Sequence, residues 1–155
     1  DWSSAVCSSD LALSLLKDKP NEPFFVMNGD LLTNVNFEHL HNYHIATNSM
    51  ATMCVREYDF QVPYGVVNIK DSKIVSIEEK PTHKFFVSAG IYMLSSEVLN
   101  YIPKNEFFDM PTLFEKLISL NQNMVSFPIR EYWLDIGRIE EYEKANKEYS
   151  EVFEL

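Results

Sequence analysis

The sequence predicts an α/β fold, a mixed sheet flanked by helices. Three observations carry that prediction. Short apolar runs ending in turn residues, such as Phe24-Phe25-Val26-Met27 before Asn28-Gly29-Asp30, read as strands. Segments with apolar residues at helical spacing, such as Leu113, Leu117 and Leu120, alternate with them. One tight hairpin signal, strands over 66–69 and 73–77 joined by Lys70-Asp71-Ser72, lies between.

At 155 residues the chain is one domain or part of one, and 46% hydrophobic with 14% aromatic residues is enough to build a core. A formal net charge of -10 without Lys/Arg clusters argues against a nucleic-acid partner. No apolar run approaches the roughly 20 residues that cross a bilayer, and no basic segment followed by an apolar one opens the chain, so neither membrane insertion nor secretion is expected. Cys7 and Cys54 imply no disulfide framework, and a reducing cytoplasm fits.

Residues 1–11, DWSSAVCSSDL, differ in style from the rest of the chain. They resemble the translation of a sequencing-library adapter, with Ala5 in place of an expected Asp. On that reading they are a foreign stretch, and native sequence starts near Ala12, inside a helix carrying Leu13, Leu15 and Leu16; the other reading is a polar lead into that helix. A strand over 24–28, almost wholly apolar, is expected to be buried on both faces. Asn36 then caps a helix over 37–47 with Phe37, Leu40, His41, His44 and Ile45 on one face. Histidines flanking such a face are more often half-buried or solvated than metal-bound, so His39, His41 and His44 predict no metal. A strand over 51–56 precedes the hairpin, and Pro81 should hold Lys80 extended where the hairpin ends. A strand over 85–94 has the small residues Ser88-Ala89-Gly90 at its middle. Ser95-Ser96-Glu97 opens a short helix, and a second helix over 112–120 puts Leu113, Leu117 and Leu120 in the core. A strand over 124–129 leads to Tyr132-Trp133-Leu134-Asp135-Ile136-Gly137. The last helix, over 139–149, is acidic, and is a solvated surface or a docking face for other subunits, so homo-oligomers stay within expectation.

Within this frame a few residues carry chemistry. Asp30 sets a carboxylate at the carboxyl end of a strand, where open α/β sheets hold ligands, and Gly29 lets a ligand approach the backbone. Such a carboxylate suits a divalent cation, or else caps the next turn. Tyr64-Gly65 offers backbone with no side chain in the way. Glu79 and Lys80 offer an acceptor for sugar hydroxyls and a point charge for phosphate, or else a solvated charge pair.

Taken in order, Asn28-Gly29-Asp30, Tyr64-Gly65-Val66, Glu79-Lys80-Pro81, Ala89-Gly90-Ile91-Tyr92 and Trp133-Leu134-Asp135-Ile136-Gly137 resemble the motifs of the sugar-phosphate nucleotidyltransferase family. The resemblance runs from about Ala12 to Tyr149. It implies a Rossmann-like sheet of the nucleotide-diphospho-sugar transferase type, and coupling of a nucleoside triphosphate to a sugar 1-phosphate with release of pyrophosphate. It also implies roles: Asp30 and Asp135 hold Mg²⁺, Lys80 binds the sugar phosphate and Glu79 the sugar hydroxyls. Asn28 and Gly29 belong to the same substrate site, and Tyr64-Gly65 and Ala89-Gly90 floor the sugar ring. Catalysis would be alignment plus electrostatics, because the attacking phosphate oxygen is already anionic. Similarity to guanylyltransferases acting on mannose or glucosamine 1-phosphate points to a hexose phosphate.

The chain departs from the family pattern in one respect. Members open with a strand and a loop of the type G-G-x-G-x-R-L that cradles the triphosphate. Here the four glycines are Gly29, Gly65, Gly90 and Gly137, far apart. The expectation is therefore that 12–155 form the C-terminal part of such a domain, with its first nucleotide-binding βα units missing, inactive alone and with an unpaired edge on its first strand. Two alternatives remain. A metal-dependent glycosyltransferase would normally carry Asp-x-Asp, where this chain has Asp30-Leu31-Leu32; a non-catalytic sugar-nucleotide-sensing subunit would have lost the carboxylates, and both are present.

Overall fold

The computed structural model describes residues 13, 16, 19–103 and 108–153, so the reading of 1–11 and most of the helix expected from Ala12 lie outside the described residues. The elements are β1 (Phe24–Met27), β2 (Leu31–Thr33), α1 (Phe37–Ala46), β3 (Ala51–Gln61), β4 (Val66–Lys70), β5 (Lys73–Glu78), β6 (Thr82–Leu94), a 3-10 turn (Ser96–Asn100), α2 (Met110–Ser119), β7 (Met124–Pro128), β8 (Trp133–Asp135) and α3 (Ile139–Val152). The main sheet has the order β1-β6-β3-β7, in which β6 is antiparallel to both neighbours and β7 is parallel to β3. It is the mixed sheet flanked by helices that the sequence predicts. No helix among the described residues is long and apolar enough to cross a membrane.

Local chemistry explains the helix starts. Asn36 accepts from His39 N at 2.9 Å and Asp109 from Thr112 N at 2.9 Å, each satisfying an amide that the first turn leaves open. Thr112, through its hydroxyl first and this amide second, also holds the Asp109 carboxyl below its ordinary pKa. Asp71 and Ser72 turn the β4–β5 hairpin with φ of 49° and 63°, the left-handed pair that a two-residue hairpin needs.

The core lies on both sides of β6. Tyr92 and Leu94 pack with Leu113, Leu117 and Val98 on the α2 side, and Ile91 and Met93 with Leu40, Cys54 and Ile129 on the α1 side. Burial on both faces, expected for β1, belongs to this end of β6 instead. β1 is an edge strand that pairs only with β6 among the described residues, which leaves Phe25 and Met27 about two-fifths exposed. Phe25 meets the Phe37 ring edge-on at 5.3 Å.

Several boundaries and faces differ from expectation. β3 and β6 are longer than the apolar pattern showed, because Glu57, Asp59 and Lys84 continue the ladder through Gln61↔Thr82 and Lys84 pairs with both acids. On α1 only Leu40 and His44 are buried, while Phe37, His41 and Ile45 are exposed. Leu120 is 46% exposed because it lies just past the end of α2. Lys80 is not extended: its φ of 47° is left-handed. The chain must reverse there into β6, held by Val62 N donating to Pro81 O at 2.9 Å. Strain of this kind concentrates at ligand-binding positions.

Candidate active site at the strand ends

A second strand pair creates the site. β2 and β8 pair antiparallel, with Leu31 opposite Asp135 and Thr33 opposite Trp133, and Ile136 N donates to Asp30 O at 2.8 Å. This pairing, which sequence reasoning missed, joins two residues more than a hundred positions apart. Its signal was present in Leu31-Leu32-Thr33 and Tyr132-Trp133-Leu134, each a short apolar or β-branched run. Thr33 Oγ1 donates to Tyr132 O at 2.7 Å and Trp133 Nε1 to Ala89 O at 2.8 Å, which ties the pair to β6. The Arg56 guanidinium lies over the Trp133 ring at 5.8 Å and donates to Glu131 O.

Two glycines make room for the side chains. Gly90 has φ of +69°, and a Cβ there would lie 2.8 Å from Asn28 Nδ2 and 3.1 Å from Leu31 Cδ1. Asn28 N donates to Gly90 O at 2.9 Å, so the Asn28-Gly29-Asp30 turn rests on the Ala89-Gly90 backbone. A Cβ on Gly137 would sit 3.1 Å from Asp135 Oδ1 and 3.5 Å from Asp30 Oδ2. Both carboxylates thus converge on one point above Gly137, whose amide donates to Asp135 Oδ1 at 2.9 Å. Gly29 faces open space.

Around them an open cleft of about 500 Å³ is lined by Asp30, Tyr58, Asp135, Gly137, Arg138 and Glu141. Sequence reasoning missed Tyr58, Arg138 and Glu141 here, for none lies in a motif that it singled out. Among the described residues no group of three or more His, Cys, Asp or Glu gathers to hold a metal. Two hard oxygen ligands opening on a cleft are nevertheless the donor set that Mg²⁺ uses when substrate phosphates and water complete its shell. Asp30 and Asp135 therefore fit such an ion.

The remaining candidates form a second group. A Cβ on Gly65 would lie 3.0 Å from Glu79 Oε2, so Tyr64-Gly65 and Glu79-Lys80 meet where the β4–β5 hairpin begins and ends. All four residues are exposed and none lines the carboxylate cleft. Lys80 has no ion pair among the described residues. The histidines lie apart from both groups. His44 is buried with Nδ1 at 2.8 Å from Thr52 Oγ1 and Nε2 at 3.1 Å from Ser95 Oγ, and burial holds its pKa below the ordinary value. Burial pushes the Cys54 thiol up to about 12, which makes it inert.

The model of the family described as "Nucleotidyl transferase" matches residues 4–152. The chain belongs to that family. The match takes in residues 4–11, part of the stretch 1–11 set aside in the sequence reading. Similar curated proteins include a probable mannose-1-phosphate guanylyltransferase 1 of rice, 33% identical over 142 residues, covering 85% of this chain and 37% of that protein. A probable mannose-1-phosphate guanylyltransferase 3 of Arabidopsis thaliana is 29% identical over 143 residues, covering 90% of this chain and 43% of the relative. The chain thus spans about two-fifths of the length of these relatives. Among solved structures, a putative glucose-1-phosphate thymidylyltransferase from Bacillus anthracis superposes with a TM-score of 0.63 at 22% identity, covering 88% of this chain and 58% of that one. HddC from Yersinia pseudotuberculosis, solved with GMP-PN, gives 0.61 at 21%, covering 94% and 64%. These likenesses show the fold, the Rossmann-like sheet of nucleotide-diphospho-sugar transferases.

Proposed function

We propose that this chain carries the metal-binding strand ends and the sugar-facing hairpin of a sugar-1-phosphate nucleotidyltransferase, which joins a nucleoside triphosphate to a sugar 1-phosphate and releases pyrophosphate. The convergence of Asp30 and Asp135 above Gly137 is the observation that supports it most. The guanylyltransferase relatives favour a guanine nucleotide and mannose 1-phosphate.

In this reading Asp30 and Asp135 hold Mg²⁺, which when bound offsets the negative charge of the phosphates. Lys80 binds the phosphate of the sugar, and Glu79 accepts from its hydroxyls. Tyr64-Gly65 and Ala89-Gly90 support the ring, and Asn28-Gly29 lets substrate reach the backbone beside Asp30. No side chain need remove a proton, because a phosphate oxygen of the sugar phosphate is already an anion at neutral pH. Alignment and charge stabilisation are the chain's contribution. Its four separated glycines form no loop to cradle a triphosphate, so low transfer by the 155 residues alone is expected.

The test is pyrophosphate release from GTP and mannose 1-phosphate by this chain preceded by the Gly-rich segment of a relative. Mg²⁺-dependent release that falls at least about a hundredfold in Asp135→Asn supports the reading. Release that is indifferent to that substitution counts against it.

A further inference from the structure

The carboxylate cleft has a cation of its own. Arg138 follows Gly137 directly, in extended backbone (φ -116°, ψ 149°), at the start of α3. Its carbonyl accepts from Tyr142 N at 2.9 Å, so the backbone is locked into the first turn of the helix, and Arg138 is among the residues that line the cleft. Asp30, Asp135 and Glu141 line the same cleft, yet among the described residues Arg138 forms no ion pair. Three carboxylates against one guanidinium leave an excess of two negative charges, which a divalent cation would offset. The guanidinium then has its planar donors free for whatever anion the cation brings.

We propose that Arg138 is a phosphate-recognising residue of this cleft, its guanidinium donating to phosphoryl oxygens of the anion held at Asp30 and Asp135. This rests on the reading of the two carboxylates as a metal site. A guanidinium matches two oxygens of one phosphoryl group in parallel, which an ammonium cannot do. Its place at the start of a fourteen-residue helix adds a smaller favourable term for an anion. Arg138 would thus fix the orientation of the phosphoryl group relative to the two carboxylates, a task distinct from that of Lys80 on the hairpin.

The experiment uses the 155-residue chain and three probes: Mn²⁺ followed by its paramagnetic resonance, then inorganic pyrophosphate and mannose 1-phosphate titrated calorimetrically with Mn²⁺ present. Arg138→Gln should keep Mn²⁺ affinity within about threefold of the unsubstituted chain and lose about tenfold or more in affinity for at least one anion. Which of the two weakens tells whether the polyphosphate or the sugar phosphate faces Arg138. Arg138→Lys, which keeps the charge without the fork, should recover only part of the loss. Equal anion affinities in the unsubstituted chain and Arg138→Gln would overturn the proposal while leaving the carboxylate reading intact. Absence of Mn²⁺ binding by the unsubstituted chain would overturn both.

Discussion

β3 and β6 lie side by side for their whole length but in two environments. Over 51–55 and 91–94 they are flanked by β1 and β7, covered by the helices, and nearly all buried. Over 56–61 and 82–87 they continue as a two-stranded ribbon, mostly exposed, towards a hairpin whose Ile69, Ile74, Val75 and Ile77 are each about two-thirds exposed. Apolar content is therefore not what separates the two parts; the neighbours are. The buried half fixes the strand ends that carry Asp30 and Asp135, whereas the exposed half presents Tyr64, Gly65, Glu79 and Lys80 to solvent. Tyr58, on the ribbon, lines the carboxylate cleft and is where the two meet.

The two halves should differ most in what a truncated apolar side chain costs. Leu113, fully buried against β6, should cost about 3 kcal/mol as Leu113→Ala, while Ile77→Ala on the hairpin should cost less than about 0.5 kcal/mol. Urea midpoints read both, and similar losses would mean that the hairpin is packed in solution.

Glycines sharpen the contrast at the next level. Gly90→Ala forces a side chain into left-handed backbone against Asn28 and should destabilise by about 2 kcal/mol. Gly65→Ala meets only the mobile end of Glu79 and should cost less than about 1 kcal/mol. Thermal melts of the two variants check the order.

The smallest effect is in pH. Burial, and next the neighbouring His41, lower the His44 pKa below 6.5 in the folded chain. The unfolded chain then binds the proton more readily, so this contribution is whole above about 6.5 and is lost as pH falls from there through the lower folded value. Stability measured across that window should drop with acid, and His44→Gln should flatten the slope. An unchanged slope in the variant would remove His44 as its source.

Much of the fold was legible because burial leaves a period. The continuous apolar run Ile91-Tyr92-Met93-Leu94 and the helical spacing of Leu113 and Leu117 each mark real core, and the cap at Asn36 and the turn at Asp71-Ser72 follow from local chemistry. Face and extent were less legible. Phe24–Met27 is as apolar as a central strand, but its position at the edge of the sheet among the described residues is set by pairing between distant segments. Glu57, Asp59 and Lys84 break the apolar pattern yet extend the ribbon by pairing across it. In the site, the family motifs paired Asp30 with Asp135 but did not show the strand pairing that joins them. The three-residue strands that join them are too short to leave a periodic signal, and Arg138 becomes visible only once β8 turns into α3.

The proposed function rests on Asp30 and Asp135 sharing one divalent cation. Paramagnetic resonance of Mn²⁺ titrated into the chain, and into Asp30→Asn and Asp135→Asn, tests it directly. One site per chain is expected, with affinity reduced at least about tenfold by either substitution. Mn²⁺ binding that neither substitution weakens would contradict it.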